Sequence, residues 1–275
     1  MNNIIAIQGI KGSYHYQVAI DYFGTKINFI ECLSFDHLVK SVSEDDKVIG
    51  VMAIENSIAG SIIPNYALID QNNLKIVGEY NLKINHCFMA LSGQIHKDIK
   101  EVHSHPMALL QCKKYFDKHP HIRLVEADDT AEVARKIYEE KIPNIAAIAS
   151  STSADLFKLK VLDYSIQTIK NNITRFVIVQ KNESSLLNKK INKATLKFIL
   201  NDERGSLAEI LNVMLDLQIN LTKIQSLPVI ETPGKYSFFV DISFENFEYY
   251  IKACSILNLI ALEFKVLGGY IKNNQ

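Results

Sequence analysis

Apolar and polar positions along the first two thirds of the chain come in short bursts whose period keeps changing. Residues 4–8 (IIAIQ) read as a strand and 14–23 as the helix after it. A strand over 26–31 and a helix over 35–42 repeat the unit. The run KVIGVMAIE at 47–55 is almost continuously apolar, as in a strand buried on both faces. A second set begins near Leu74, with strands over 74–80 and 85–91 and a helix over 106–116 that carries Pro106 in its first turn. A strand over 123–126 follows, then a helix to Tyr138 that either Asp129 or Thr130 can cap. IAAIAS (145–150) is another buried strand, 151–157 a short helix, and RFVIVQ (175–180) a last strand. Alternation of this kind predicts an α/β fold with a mainly parallel sheet. Two sets of it predict two lobes with a ligand cleft between them.

The stretch KNESSLLNKKIN is polar and has no sustained period, so it reads as a linker. The expected organisation is a first domain over 1–181, a linker over 182–193 and a second domain over 194–275. In the second domain, a strand (194–200) and an amphipathic helix (206–217) come first. Strands over 220–229 and 236–243 follow, joined by a turn at 232–235 (TPGK), then a helix (247–257) and a strand (260–270). That order, βαββαβ, is ferredoxin-like.

Composition narrows the classes. The chain has 275 residues, 48% hydrophobic and 22% charged, as expected of a globular protein with one larger and one smaller domain. Thirty basic residues balance thirty acidic ones, which argues against nucleic acid as a partner. No run approaches the ~18 apolar residues of a membrane span. The opening MNNIIAIQGIKGS lacks a basic leader and a long apolar segment, so a cytoplasmic location is expected. Cys32, Cys87, Cys112 and Cys254 form no CxxC pair and read as small buried apolar residues of a reducing compartment.

Several separated segments then carry a resemblance. They are IQGIKGSYHYQVA (7–19), AIENSIAGS (53–61), HSHPMALLQC (103–112), DTAEVA (129–134), AAIAS (146–150) and Thr174-Arg175-Phe176. In this order and spacing they resemble the prephenate dehydratase family, although Ser13, Tyr14 and His15 replace its usual Thr-Phe-Ser. The resemblance implies a two-lobed α/β catalytic domain, periplasmic-binding-protein-like, over 1–181. Residues 194–275 resemble the ACT domain that such dehydratases carry. Gly205-Ser206-Leu207-Ala208 stands for the family's Gly-Ala-Leu-Ala, and Gln225-Ser226-Leu227-Pro228 for its Glu-Ser-Arg-Pro. Almost every residue falls in these two domains, so no fused chorismate mutase or dehydrogenase is expected within these 275 residues.

The implied reaction turns prephenate, a cyclohexadienol dicarboxylate, into phenylpyruvate by expelling the ring hydroxyl and carbon dioxide. Aromatisation drives it, so no redox cofactor and no metal is expected. By resemblance Thr174 acts on the leaving hydroxyl, as an oriented donor rather than a free acid. A lone threonine would more simply suit a strand. Arg175 can grip a carboxylate with two parallel bonds, and Phe176 lines the ring pocket or is plain core. Glu55, Asn56 and Ser57 end a buried strand at its C-terminal end, where open α/β sheets place ligands. Asn56 and Ser57 can donate; Glu55, beside a dianion, must be protonated or paired with a cation in an orienting role, and the second is favoured.

Gln111 is expected at the substrate by resemblance, and Ser104 either there or as a helix cap. Ser13 can offer its hydroxyl and amide at a helix N-terminus, and Thr130 the same unless it only caps. His103-x-His105 and His119-x-His121 are interrupted by Pro106 and Pro120, and no metal is expected. Ser206 can cap its helix. The ACT resemblance implies that Gly205, Ser206, Leu207, Ala208, Asn220, Leu221 and Ser226 wall an L-phenylalanine site between paired chains. A homodimer or homotetramer with feedback control would follow. The competing readings are an arogenate dehydratase and a non-catalytic amino-acid sensor. Retention of Glu55, Asn56, Gln111, Thr174 and Arg175 together weighs against the sensor.

Overall fold

Why each burst of apolar residues becomes a strand or a helix is visible in the computed structural model, which describes residues 4–182, 190–229, 232 and 235–273. Pro233, Gly234 and residues 183–189 of the expected turn and linker lie outside these. The elements begin β1 (Ile4–Gln8), α1 (Tyr14–Phe23), β2 (Asn28–Cys32), α2 (Phe35–Glu44), β3 (Val48–Asn56), β4 (Gly60–Ser61), α3 (Ile63–Gln71) and β5 (Lys75–Lys83). Next come β6 (Cys87–Ala90), β7 (Glu101–Ser104), α4 (Pro106–Phe116), β8 (Arg123–Glu126), α5 (Thr130–Glu140), β9 (Ile145–Ala149), α6 (Ser151–Leu156), β10 (Lys160–Asp163) and β11 (Ile173–Gln180). The chain closes with β12 (Lys193–Ile199), α7 (Ser206–Asp216), β13 (Asn220–Pro228), β14 (Tyr236–Ser243), α8 (Phe247–Ile260) and β15 (Glu263–Tyr270).

These form three sheets. The first has the order β2-β1-β3-β11-β5, with β4 paired to β3. The second, β10-β6-β9-β7-β8, is mixed rather than mainly parallel: β7 runs parallel to β8 and β9, while β6 is antiparallel to β9 and β10. The third, β13-β14-β12-β15, pairs antiparallel throughout and completes the expected βαββαβ order. Four elements escaped the hydrophobic pattern: α3, β10, and the short strands β4 and β7. In α3 the buried residues include the polar Asn65 beside Tyr66 and Ile69, which blurs any apolar stripe. β10 is one exposed and three half-buried residues whose pairing shifts register after Val161.

The chain divides into two packed units, one of Met1–Leu38, Gly50–Ile62 and Asn81–Phe176, the other of Val39–Ile49, Ile63–Tyr80 and Val177–Gln275. In the second unit Leu196, Phe198, Val240 and Ile242 of the sheet bury against Ile210, Met214 and Leu257 of α7 and α8. The same unit holds α3 and β5 through polar bonds. Tyr66 donates to Asp241 Oδ2 at 3.2 Å, and Thr195 donates to Asp241 Oδ1 at 2.6 Å. Lys193 meets Glu79 at 2.7 Å with both side chains almost fully buried, where an ion pair is specific more than it is stabilising. Asp70 sits between Lys197 (2.7 Å) and Lys265 (2.6 Å). Burial works against its charge, yet the two ammonium groups outweigh that and hold its carboxyl below the usual range.

Gly268 of β15 is where β5 comes closest. A Cβ there would lie 1.9 Å from the Ile76 carbonyl oxygen, a backbone atom that cannot swing away. Gly268→Ala should therefore cost stability at the upper end of the ~1–3 kcal/mol typical of overpacking, read as a lower urea midpoint. An unchanged midpoint would mean that the two strands part freely.

Candidate active site

The first unit encloses a cavity of about 450 Å³ built where helices start and strands end. Three helix N-termini reach it: Ser13, Tyr14 and His15 at α1, His105, Met107 and Ala108 at α4, and Asp129 and Thr130 at α5. Each contributes partial positive charge, which suits an anion, while caps hold first-turn N–H groups: Met107 N donates to His105 Nδ1, and Ala131 N and Glu132 N donate to Asp129 Oδ1. Among the described residues no Lys or Arg lines the cavity, and Asp128 and Asp129 do. Gln8 at the end of β1 and Asn56 at the end of β3 complete that wall.

The caps explain the local folding. Ser13 caps α1, its Oγ accepting from Tyr16 N at 3.2 Å. The turn before it requires Gly12, at φ +97°, where a Cβ would meet Phe157 and Ser153 at 3.1 Å. Asp129 caps α5 by accepting from Ala131 N and Glu132 N, both at 2.8 Å, so Thr130 is the first helical residue and not the cap. Burial pushes the Asp129 carboxyl up, against those two bonds.

At the centre stands Thr174, near the start of β11. Asn56 Oδ1 accepts from Ile58 N (3.0 Å) and Ala59 N (2.9 Å), while its Nδ2 donates to Thr174 Oγ1 (2.9 Å) and Asn172 Oδ1 (2.6 Å). Thr174 thus accepts from Asn56 and keeps its own proton to donate. Asn172 Nδ2 donates to Gln111 Oε1 (2.9 Å), which also lies 2.9 Å from His86 Nε2; the Tyr14 hydroxyl stands 2.9 Å from His86 Nδ1 and 3.0 Å from Asn85 O. Phe176 is 1% exposed; its ring packs edge-on to His15 at 5.0 Å and borders the cavity.

Of the residues singled out in the sequence, Ser13, Asn56, Gln111, Thr130, Thr174 and Phe176 line this cavity. Glu55, Ser57, Ser104 and Arg175 do not. Arg175 is buried and pairs with Glu55 at 3.4 Å, so its guanidinium is engaged with the protein's own carboxylate. Ser57 knits its loop to β11 instead: its N–H donates to Ile173 O (2.8 Å) and its Oγ accepts from Ile173 N (2.9 Å). Ser104 is neither at the cavity nor a cap, for its hydroxyl is fully buried and donates to Ile148 O at 2.7 Å. His105 caps α4, with Nδ1 accepting from Met107 N at 3.2 Å.

Sequence reasoning missed Tyr14, His15, His86, His105 and Asn172 as site residues. Asn172 was within reach, two positions before Thr174. His86 carried no local signal, since it merely precedes a buried strand.

In the second unit, Gly205 (φ +91°) occupies the cap position of α7. The Ser206 hydroxyl donates to Glu203 O at 3.1 Å, so Ser206 does not cap the helix. Leu207 and Ala208 lie in its first turn, and Asn220, Leu221 and Ser226 on the edge strand β13. Asn220 borders a second cavity of about 520 Å³ with Gln218, Ser243, Asn246 and Lys272, which Gly205 through Ala208 do not line.

The fold is mixed α/β, and the cavity is of a size for a small molecule and presents oriented neutral donors. The family model for prephenate dehydratase matches residues 5–184, and the chain belongs to that family. The prephenate dehydratase of Methanocaldococcus jannaschii is 35% identical over 252 residues, 90% of this chain and 89% of that one. The bifunctional chorismate mutase/prephenate dehydratase of Buchnera aphidicola subsp. Schizaphis graminum is 33% identical over 238 residues; the match spans 85% of this chain and 62% of that protein. The structure of an Arthrobacter aurescens prephenate dehydratase in complex with L-Phe is 25% identical with a TM-score of 0.88, covering 98% of this chain and 90% of that one. A structure described as GqqA, a novel type of quorum quenching acylase, reaches a TM-score of 0.90 at 25% identity over 99% of both chains.

His15 gives the site a pH signature. Its Nε2 accepts from Ala53 N at 3.3 Å, and burial pushes its pKa down to about 3. The unfolded chain therefore binds a proton that the folded one refuses. The neutral imidazole costs nothing above the unfolded value of ~6.5, and stability falls as pH drops from there toward 3. The slope from this residue approaches 1.4 kcal/mol per pH unit at most, about one proton's worth. Urea titrations across that window should show His15→Gln, which keeps an acceptor, losing part of the slope. An identical slope in both proteins would remove His15 as its source.

Proposed function

We propose that the cavity around Thr174 binds prephenate and converts it to phenylpyruvate, water and carbon dioxide, consuming one proton. The observation that carries this reading is the Thr174 hydroxyl, made a donor by Asn56 at the edge of a cavity fronted by helix N-termini. As the ring carboxylate leaves as carbon dioxide, its bonding electrons enter the ring and the C–O bond to the hydroxyl breaks. Negative charge gathers on that oxygen, and a donor already aimed there is worth about 3–4 kcal/mol. The helix N-termini and the Gln111 amide hold the carboxylates. Glu55 and Arg175 act one layer out, as a pair that stiffens the strand ends bearing Asn56 and Thr174.

In this reading the catalytic part is 1–181, with the first two sheets as two lobes around the cavity, joined by 182–193 to an ACT domain over 194–275. Its βαββαβ order supports the ACT assignment. L-phenylalanine would bind at Gly205 through Ala208, Asn220, Leu221 and Ser226 in a homodimer or homotetramer of a cytoplasmic enzyme, and lower turnover. A second substrate has one observation in its favour. Asp128 and Asp129 border the cavity and would suit an ammonium, which arogenate carries where prephenate has a keto oxygen.

The test is steady-state turnover of purified protein on prephenate and on arogenate, with and without L-phenylalanine. Prephenate turnover suppressed by phenylalanine is expected, and Thr174→Ala should lose at least about a hundredfold in kcat with its thermal midpoint kept. Turnover on neither substrate would contradict the reading and direct attention to acyl-bond hydrolysis. Normal turnover in Thr174→Ala would remove that hydroxyl from the reaction.

A further inference from the structure

The bonds that run from Asn56 to Tyr14 have a direction that two backbone amides impose. Peptide N–H groups can only donate, so Ile58 N and Ala59 N require an oxygen at Asn56 Oδ1 and place its NH2 toward Thr174 and Asn172. Asn172 must then accept on Oδ1, which leaves its Nδ2 to donate to Gln111 Oε1. Gln111 Oε1 is an acceptor only, so His86 must present an N–H at Nε2. A neutral imidazole protonated at Nε2 has its lone pair on Nδ1, and the single Tyr14 hydroxyl proton faces two acceptors, that lone pair at 2.9 Å and the Asn85 carbonyl at 3.0 Å. As far as His86, each link leaves one choice at the next.

We propose that His86 is a positioning residue of the dehydration, held as its Nε2–H tautomer by the Gln111 oxygen and locking Gln111, Asn172 and Asn56 so that Thr174 and the Gln111 NH2 both donate into the cavity. The inference rests on the function proposed above. Two further facts agree with it. Burial pushes the His86 pKa down, against the bond to Gln111, and so keeps the ring neutral. Burial, with Cys87 and Cys112 close by, pushes the Tyr14 phenol up and keeps its proton. The His86 main chain is also fixed, its N–H donating to Gln167 Oε1 at 2.9 Å. The opposite tautomer would set the Nε2 lone pair against the Gln111 oxygen. Turning the Gln111 amide to relieve that would set its NH2 against the Asn172 NH2, and Asn56 cannot turn in response.

Two measurements test this. In 15N-histidine-labelled protein at pH 7.5, the ring spectrum of His86, assigned by its loss in His86→Gln, should show the Nε2–H tautomer. An Nδ1–H ring or an imidazolium would overturn the proposal, whatever the enzyme does. In kinetics with prephenate, His86→Leu should lower kcat about tenfold or more while KM moves far less. His86→Gln, whose side-chain amide can donate near the Nε2 position, should recover to within about threefold of the parent, where tenfold corresponds to ~1.4 kcal/mol. Equal losses in Leu and Gln variants that keep their thermal midpoints would reduce His86 to a packing residue and overturn it. A parent protein inactive on prephenate would count against the proposed function alone, because the tautomer is read without substrate.

Discussion

Two peptide N–H groups, those of Ile58 and Ala59, decide which way the Asn56 amide faces, and the chemistry of the cavity depends on that decision. A side-chain amide can be turned over at little cost when its partners can donate and accept alike. Here they cannot, so Nδ2 is committed to Thr174 and the threonine proton is committed elsewhere. The tight loop from Asn56 to Ser61 serves this purpose. Ser57 ties it to Ile173 by a bond in each direction, and β4 folds back on β3 to close it. Short local bonds thereby orient the Thr174 hydroxyl, on a strand more than a hundred residues away.

The electrostatics follow the same economy. A dianion would ordinarily call for arginine, yet the described lining holds none, and Arg175 is spent on Glu55. Positive potential comes instead from the partial charge at the starts of α1, α4 and α5, which is fixed before any ligand arrives. Preorganised dipoles need no rearrangement as charge moves from carboxylate to leaving oxygen, which is the condition for stabilising that movement. Neutral His15 and His86 belong to this design: burial disfavours the charge on each, His15 Nε2 accepts from Ala53 N, and His86 Nε2 meets Gln111 Oε1.

Much of this was legible from the chain. The βαββαβ order followed from periodicity, because its strands and helices each bury one face. Asn56, Gln111 and Thr174 followed from the resemblance. What was not legible has physical causes. Ser104 and Arg175 have the right chemistry, but whether a side chain meets ligand or protein depends on neighbours distant in sequence, Ile148 and Glu55 here. The helix α3 hides because a buried asparagine interrupts its apolar face, and its partners Asp241 and Phe239 lie some 170 residues on. His86 has no motif around it, and only the chain of bonds assigns it a part.

The account stands most directly on the donor end of Asn56, and Asn56→Asp isolates it. The carboxylate still accepts from Ile58 N and Ala59 N, so the loop keeps its shape, but it can no longer donate to Thr174. The threonine proton would turn toward the new oxygen and away from the cavity. Steady-state kinetics on prephenate at pH 8 should show kcat reduced about a hundredfold or more with the thermal midpoint little changed. A kcat within about threefold of the parent enzyme, far below the effect of losing such a donor, would contradict the claim that this amide sets the direction of the Thr174 hydroxyl.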